Sequence, residues 1–332
     1  MRTKSYFLLF FLLWFVFSCS KKKEEVLPQY KLEKILEIGV MEGAENYMFA
    51  GIIDAEVDSR RNIYVLDWKY KTVKKYDENG TFLTNIGTEG QGPGEFSSIL
   101  VDCCLGPDDR LYVMELAKIH IFSAEGNHIK TFNPGFFSTS RILVNQPGQI
   151  ILVGNRENKN FHIFDQEGKF IESFGDCIPA PGPEYRKYQE TWRLSGVTLS
   201  KDGNLFGFNP FRYEILIFAN KAYQRSISRE VPGFTPPEVT RTGESSYSWT
   251  HIPCALLTTD FELLAYYGPK ELQEKGMGYL DIYSLDDHRF LGSLEIEGLP
   301  STVDNQNNIY CIEFLDIPKV LKFKFSQSAE EK

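Results

Sequence analysis

The sequence predicts an all-β fold, a six-bladed β-propeller. A strand-rich unit recurs six times along the chain, and its mean spacing of about 49 residues suits a four-stranded propeller blade. The last unit lacks its fourth strand, whereas a strand-like segment near the N-terminus has no unit before it. Together these observations favour a closed ring over the alternatives, which are an open solenoid or a pair of β-sandwiches.

Each unit contains a short run of aliphatic and aromatic residues that follows a turn signal. Such residues suit the pleated surface of a buried strand, so we interpret these runs as the second strand of each blade. The six runs are residues 62–67, 110–115, 149–154, 204–209, 262–267 and 308–313.

A further β-rich run follows each of these and predicts the third strand. In the first and third units, a turn ending in Gly80 or Gly168 then precedes a predicted fourth strand, because glycine readily adopts the positive φ of a tight hairpin. The six third-strand runs are residues 73–76, 119–122, 161–164, 215–218, 280–283 and 320–323.

The two ends of the chain complement each other. The sixth unit stops at Phe325, after its third strand, and residues 30–39 resemble a fourth strand. We therefore expect the ring to be closed by an N-terminal strand that pairs with the last blade, which removes an exposed sheet edge. The predicted propeller spans residues 30–326, and a polar tail follows at 327–332.

The N-terminus has the organisation of a secretory signal. Arg2 and Lys4 precede an uncharged run at residues 5–18, which is shorter than the roughly 20 apolar residues of a membrane-spanning helix. Residues 16–19, Val-Phe-Ser-Cys, resemble the lipobox of bacterial lipoproteins, which implies cleavage before Cys19 and lipidation of its sulfur. The alternatives are an ordinary signal peptide with a coincidental cysteine, or an uncleaved anchor.

These features predict where the protein resides. Residues 1–18 would be a signal peptide, and residues 19–29, which contain consecutive lysines and glutamates, a polar tether. Acyl chains on Cys19 would attach the protein to a membrane. We expect a lipid-anchored protein of the Gram-negative cell envelope, at the outer membrane, that faces either the periplasm or the cell surface.

Charge and cysteine content exclude some classes of function. The net charge of −9 argues against a nucleic-acid partner, which would require a basic surface. Beyond Cys19 the sequence has five cysteines at irregular spacing and no C-x-x-C pair, so neither a zinc knuckle nor a thioredoxin-like site is indicated. Mostly buried thiols are expected, and one disulfide is the alternative in an oxidising envelope.

The first unit carries a family resemblance. Asn-Ile-Tyr-Val-Leu-Asp at 62–67 is followed by Val-Lys-Lys-Tyr-Asp-x-x-Gly at 73–80, and then by the glycine-rich segment 87–96. This order is similar to that of NHL-type propeller repeats. Together with the lipobox, it resembles the bacterial six-bladed β-propeller lipoproteins of unassigned function, and this resemblance implies the fold but no activity.

The sequence contains no recognised catalytic motif. Neither G-x-S-x-G nor H-E-x-x-H occurs, so no catalytic residue is predicted. Residues 304–308 superficially resemble a calcium loop, but Ile309 stands where such a loop needs glycine. A turn between strands is therefore expected there.

The ends of the second strands should lie together on one rim of the ring. Asp67, Glu115 and Glu313 occupy this position. Their oxygens are candidate ligands for calcium or another divalent ion in the channel, because hard cations prefer oxygen. The alternative is that each carboxylate accepts hydrogen bonds from the backbone of its own turn.

The loops after these strands carry aromatic and cationic residues. Such side chains can stack on a sugar ring or bind a peptide, and the alternative is that the aromatic rings pack between blades. The candidate ligand-binding residues are Trp68, Tyr70, Arg156, Phe211, Arg212 and Tyr213.

Taken together, the sequence favours a non-catalytic binding or scaffold protein. We expect it to present a propeller face to a glycan, a peptide or a partner protein of the envelope. The alternative is a metal-dependent hydrolase or lyase whose site lies in the central channel.

Overall fold

The computed structural model contains six antiparallel sheets of four strands each, which confirms the six-bladed β-propeller. Residues 1–28 and 328–332, which include the expected signal peptide, Cys19 and most of the tether, lie outside the described residues. The structure describes residues 29–135, 139–178, 182–183, 194, 196–231, 234, 239–241, 247–249 and 254–327.

Blades 1 and 2 come first in the chain, after β1 (Tyr30–Ile38), which belongs to the last blade, and a 3-10 turn, Glu45–Tyr47. Blade 1 consists of β2 (Ile52–Val57), β3 (Ile63–Asp67), β4 (Thr72–Tyr76) and β5 (Phe82–Ile86). The short parallel pair β6 (Thr88–Glu89) and β7 (Glu95–Phe96) precedes blade 2. Blade 2 consists of β8 (Leu100–Leu105), β9 (Leu111–Glu115), β10 (Ile119–Phe122) and β11 (His128–Phe132).

Blades 3 and 4 have the same consecutive strand order. Blade 3 consists of β12 (Thr139–Val144), β13 (Ile150–Arg156), β14 (Lys159–Phe164) and β15 (Phe170–Asp176). Blade 4 consists of β16 (Val197–Leu199), β17 (Leu205–Phe208), β18 (Glu214–Ala219) and β19 (Ala222–Ser228). A small hairpin, β20 (Val239–Arg241) and β21 (Tyr247–Trp249), precedes blade 5.

Blades 5 and 6 complete the ring of sheets. Blade 5 consists of β22 (Cys254–Thr258), β23 (Glu262–Tyr267), β24 (Met277–Ser284) and β25 (Phe290–Glu297), with the short helix α1 (Lys270–Gln273) between β23 and β24. Blade 6 consists of β26 (Leu299–Val303), β27 (Ile309–Glu313), β28 (Lys319–Gln327) and the N-terminal β1.

The N-terminal strand pairs with the last blade, as the complementary chain ends predict. β1 runs antiparallel to β28, from Tyr30 opposite Gln327 to Ile38 opposite Val320, with one irregularity after Lys34. The Tyr30 ring stacks on Phe325 with 5.3 Å between ring centroids. The last strand ends one residue beyond the predicted domain boundary at 326.

Apolar clusters between neighbouring blades hold the sheets together. The second strand of blade 1 is buried along its whole length, because its two faces contact different blades. Ile63 and Val65 pack towards blade 6, whereas Tyr64 and Leu66 pack towards blade 2. Burial on both faces explains why these strands have continuous aliphatic and aromatic sequences rather than alternating ones.

The turn at residues 304–308 connects β26 to β27, as expected. Asp304 accepts hydrogen bonds from the backbone N–H groups of Gln306 and Asn308 and from the Tyr310 hydroxyl. Asp58 forms the same arrangement in blade 1. These aspartates therefore stabilise the turns of their repeats, because a short side chain that accepts hydrogen bonds can reach the backbone two and four residues ahead.

The propeller has two distinct faces. In each blade the first strand lies innermost, and the first strands of successive blades contact one another around a central channel. We call the face at which the first strands begin face A, and the face at which they end face B. Second strands run the opposite way, so the loops between second and third strands lie on face A. The turns between first and second strands lie on face B.

Candidate functional site

Blade 1 presents two aromatic side chains on face A. Trp68 and Tyr70 lie in the loop between β3 and β4 and are 40% and 50% exposed. A Cβ atom at Gly51 would lie 2.5 Å from Trp68 Nε1, so the glycine allows the indole to lie against the backbone. Lys69 Nζ lies 5.6 Å from the centroid of the Trp68 ring. Both aromatic residues are thus accessible on an ordered loop, as the ligand-binding prediction requires.

Blades 2 and 6 add aliphatic and aromatic side chains to the same face. Ile99 and Leu116 are adjacent, because the Leu116 N–H donates to the Ile99 carbonyl at 3.1 Å. Phe314 and Leu315, in the loop between β27 and β28, are half exposed and border a cavity of about 160 Å3 between blades 5 and 6. We call the following exposed residues the apolar loop surface: Met41, Trp68, Tyr70, Ile99, Leu116, Phe314 and Leu315.

The other predicted ligand-binding residues are distributed differently. Arg156 belongs to blade 3, and Phe211 and Arg212 belong to blade 4, which lies across the ring from blade 1. Arg212 is exposed, and its Nε donates to Glu214 at 2.8 Å. The structure therefore does not gather these residues into one compact site with Trp68.

Tyr213 corrects the prediction of an accessible rim residue. Its side chain is buried, and its hydroxyl donates to Asp281 Oδ2 at 2.5 Å and lies 2.9 Å from the Tyr283 hydroxyl of blade 5. Burial and the charge of Asp281 raise the pKa of Tyr213 well above its usual value. Tyr213 thus packs between blades 4 and 5, which was the alternative interpretation.

The three carboxylates predicted as metal ligands each accept hydrogen bonds from loop backbone of the propeller. Asp67 accepts from the N–H groups of Ala50 at 2.8 Å and of Lys69 and Tyr70 at 3.1 Å. Glu115 accepts from the Ser98 N–H at 2.7 Å, and Glu313 accepts from the Leu315 N–H at 2.7 Å.

These contacts correct the prediction of a shared metal site. Asp67, Glu115 and Glu313 end second strands, which lie one strand away from the channel, and their oxygens are directed at loop backbone. Within the described ranges, no group of three or more His, Cys, Asp or Glu side chains is placed to hold a metal ion. The pKa of Glu115 is lowered, because hydrogen bonds from His120 and from the Ser98 backbone outweigh the opposing effect of burial.

The channel contains four charged side chains that the sequence analysis did not identify. We call them the channel cluster: Asp54 and Glu56 on β2, Asp102 on β8 and Arg141 on β12. Arg141 Nη1 lies 3.2 Å from Asp102 Oδ1 and 3.8 Å from Asp54 Oδ1. Its Nη2 lies 3.8 Å from Glu56 Oε1. Arg141 therefore lies within 4 Å of all three carboxyl groups.

The channel cluster also links neighbouring blades. Asp102 Oδ2 of blade 2 accepts from the Ile142 N–H of blade 3 at 2.7 Å. Asp54 Oδ2 of blade 1 lies 3.4 Å from the Cys103 N–H of blade 2. The Ser301 hydroxyl of blade 6 donates to the other oxygen of Asp54. These bonds connect the first strands of blades 6, 1, 2 and 3 in series.

Burial controls the protonation of the cluster. It raises the pKa of Glu56 to about 8, and the charge of Asp54 adds to the increase while Arg141 opposes it. Burial likewise raises the pKa of Asp102 well above its usual value, although Arg141 opposes this. Glu56 is therefore mainly protonated at neutral pH. The cluster borders a cavity of about 220 Å3 at the face B end of the channel.

A positional signal for the cluster was present in the sequence. Asp54, Asp102 and Arg141 each pair with the fourth residue of the following strand, so they occupy equivalent positions in three successive blades. Aligning the first strands would have revealed this. Those strands mix charged and apolar residues without clear alternation, so they gave no strand signal of their own.

Comparison with known proteins agrees with this architecture. Residues 41–143 match a family of unknown function described as a 6-bladed beta-propeller. This segment contains blades 1 and 2, most of β12 and the whole channel cluster. No curated protein matches the sequence.

Solved structures extend the likeness over the whole ring. A protein from Bacteroides fragilis described as exported is 14% identical, with a TM-score of 0.62, over 90% of this chain and 96% of its own. A member of the DUF4221 family from Bacteroides vulgatus is 12% identical, with a TM-score of 0.57, over 91% of this chain and 100% of its own. A virginiamycin B lyase from Staphylococcus aureus is 11% identical, with a TM-score of 0.54, over 89% and 99%.

At these identities the likeness concerns the fold alone. The protein is a six-bladed β-propeller. No helix in the part of the chain that the structure describes is long and apolar enough to cross a membrane.

Proposed function

We propose that this propeller is a lipid-anchored envelope protein that binds a partner protein through the apolar loop surface. The observation that carries the proposal is the concentration of exposed apolar side chains on face A of blades 6, 1 and 2. Apolar patches that are exposed in this way often mark interaction sites, because leaving them in water is unfavourable.

The chemistry of the surface favours a protein over a glycan. Sugar rings stack on aromatic side chains, but their hydroxyl groups also need polar partners. Besides Trp68 and Tyr70, with Lys69 beside the Trp68 ring, the apolar loop surface contains exposed aliphatic side chains such as Met41, Ile99 and Leu116. Aliphatic and aromatic side chains together are typical of the buried centre of a protein–protein interface.

The position of the N-terminal strand supports an orientation in which face A points away from the membrane. Tyr30 lies at the face B side, where its hydroxyl donates to Glu262, which follows the turn between β22 and β23. Residues 19–29 would span at most about 40 Å if fully extended. A lipid on Cys19 would therefore hold face B towards the membrane and leave the apolar loop surface pointing away from it.

Site-specific photo-cross-linking in the native envelope tests the proposed surface. A photoreactive phenylalanine analogue at Trp68 or Phe314 should give adducts with one partner protein. The matched control is the same analogue at Phe261, an apolar residue on face B that is 72% exposed. Adducts only at Phe261, or equal adducts at all three positions, would show that face A is not the binding surface. Retention by a glycan array, lost with Trp68→Ala, would instead identify a glycan ligand.

Metabolic labelling tests the proposed anchor. The wild-type chain should incorporate labelled palmitate and fractionate with membranes, whereas Cys19→Ser should do neither. A wild-type chain that is cleaved but carries no label would indicate an ordinary signal peptide. The cross-linking result at Trp68 is independent of this outcome, because the apolar loop surface is part of the folded propeller.

A further inference from the structure

A cavity between blades 3 and 4 is larger than the cavity at the mouth of the channel. It has a volume of about 430 Å3 and opens on face B, away from the apolar loop surface. Its size is within the usual range of small-molecule sites, which runs from roughly 300 to 1,000 Å3. We call this cavity the blade 3/4 cleft.

The floor of the cleft is apolar. Ile151, Ile163 and Phe174 line it from blade 3, and Leu205 and Phe218 line it from blade 4. All five belong to the buried apolar cluster between the two blades. These floor side chains are at most 9% exposed, so the cleft ends on the edge of a hydrophobic core, and an apolar ligand group placed there would bury its own apolar surface.

Among the described residues, this seam lacks the first-strand carboxylate that links blade 1 to blade 2 and blade 2 to blade 3. The position that holds Asp54 in blade 1 and Asp102 in blade 2 is Arg141 in blade 3. A guanidinium cannot accept a hydrogen bond from the next blade, and Arg141 turns back towards Asp102. At the exterior, Lys221 and Glu172 form an ion pair between the two blades.

The rim of the cleft indicates an uncharged ligand head group. The charged rim side chains already have partners on the chain: Lys221 pairs with Glu172 and Lys201 with Asp260. Asp202 accepts from the Asn204 carboxamide at 2.6 Å. Carboxamides of Asn145, Gln146, Gln149 and Asn220 also line the rim, and the Asn145 carboxamide donates to Gln149 Oε1 at 2.9 Å. Carboxamides both donate and accept hydrogen bonds, so they suit a neutral polar group.

We propose that the blade 3/4 cleft binds a small amphipathic molecule, with an apolar ring or short chain on its floor and an uncharged hydrogen-bonding group at its carboxamide rim. This site is separate from the surface proposed to bind a protein partner, since it opens on the other face.

Methyl NMR on the folded propeller tests the cleft directly, because Ile151 and Ile163 lie on its floor. Benzyl alcohol should shift the δ1-methyl signals of both residues in a saturable manner. Benzoate and benzylamine, which match it in shape but carry a charge, should bind at least about tenfold more weakly. The methyl signal of Ile119, between blades 2 and 3, should not move and serves as the internal control.

Two variants separate binding from folding. Leu205→Phe fills the floor and should weaken benzyl alcohol binding by about tenfold or more. Gln149→Ala leaves the floor intact and removes one rim carboxamide, so it should weaken binding by about two- to tenfold, which corresponds to one hydrogen bond. A non-saturable shift, shifts at Ile119 as large as at Ile151, or unchanged affinity in a folded Leu205→Phe protein would each overturn the proposal. If Leu205→Phe fails to fold, Gln149→Ala and the charged probes decide.

Discussion

Blade 3 meets its two neighbours in opposite ways. Towards blade 2, its first strand donates the Ile142 N–H to the buried carboxylate of Asp102, and Arg141 pairs with the same carboxylate. Towards blade 4, a cavity of about 430 Å3 separates the face B ends of the two sheets. Both seams have an apolar cluster.

The difference shows that apolar burial alone does not determine how tightly two blades join. The seam between blades 2 and 3 adds a charge-assisted hydrogen bond in a buried environment, where such bonds are stronger than in water. The seam between blades 3 and 4 has an ion pair at the exterior, where water screens it. Along the first strands, Arg141 occupies in blade 3 the position of Asp54 and Asp102, so no carboxylate at that position links blade 3 to blade 4.

The largest change in stability is expected from replacing Arg141, the cation of the channel cluster. Arg141→Met should lower the free energy of unfolding by about 3 kcal/mol at neutral pH, because it leaves buried carboxyl groups without their cation. Urea denaturation measures this. The matched control is Arg156→Met in the same blade, which should change stability by no more than about 1 kcal/mol, since its side chain is 34% exposed and water screens its ion pair with Glu157.

Acid should partly rescue the Arg141→Met protein. At lower pH the carboxyl groups of Asp102 and Glu56 are protonated and no longer need a cation. The difference from wild type should therefore shrink between pH 8 and pH 5. A loss that is equal for Arg141→Met and Arg156→Met, or that is independent of pH, would contradict the role assigned to Arg141.

The stability of the wild-type protein should also depend on pH through Glu56. Its pKa is about 8 in the folded state and ordinary in the unfolded chain, so the folded state binds more protons between these two values. Stability from this group is present below the unfolded pKa and falls as pH rises towards about 8, by at most about 1.4 kcal/mol per pH unit. Denaturation curves from pH 5 to pH 8 should show this slope, and Glu56→Gln should remove it. A slope that persists unchanged in Glu56→Gln would assign the pH dependence to other groups.

Hydrogen exchange should show that the blade 4 side of blade 3 opens locally more often than the blade 2 side. Backbone amides of β16 and β17, beside the blade 3/4 cleft, should exchange about tenfold faster than those of β8 and β9. Regions with fewer buried contacts open at a lower free energy. Equal protection in the two pairs of strands would mean that the cleft does not weaken its seam.

The smallest change in stability is expected at the exterior of the seam between blades 3 and 4. Lys221 is half exposed, so Lys221→Ala should change the free energy of unfolding by less than about 0.5 kcal/mol. The matched substitution in the seam between blades 2 and 3 is Asp102→Ala. It removes a buried hydrogen-bond acceptor and should lower the free energy of unfolding several times as much. Similar values for Lys221→Ala and Asp102→Ala would show that the two seams depend equally on their polar links.

Most of the fold could be predicted from the sequence. The second and third strands lie within blades, so their continuous aliphatic and aromatic runs identified them and gave the number of blades. The pairing of β1 with β28 followed from a missing strand at one end and a surplus strand at the other. A strand that is buried on both faces has a continuous run of apolar residues, and the second and third strands could be recognised in the sequence by such runs.

The candidate site was harder to predict, for two physical reasons. The carboxylates of Asp67 and Glu313 have the chemistry of metal ligands, but local hydrogen bonds to their own turns orient them, and sequence does not show orientation. The channel cluster was missed because its strands mix charged and apolar residues. Trp68 and Tyr70 were placed correctly on an accessible loop, since their position after a second strand fixes the face on which they lie.

Blade 6 combines the N-terminal strand β1 with three strands from the other end of the propeller, and this affects how the chain folds. Tyr30 and Gln327 are partners in one ladder, so the last sheet cannot form completely until residue 327 has been synthesised. Until then β1 has no partner, and the ring's closing contact must overcome the entropy of joining two ends separated by nearly the entire chain. Because these ends are neighbours once folded, a short linker between them would turn the propeller into a continuous circle, in which new termini could be opened at the blade 3/4 cleft.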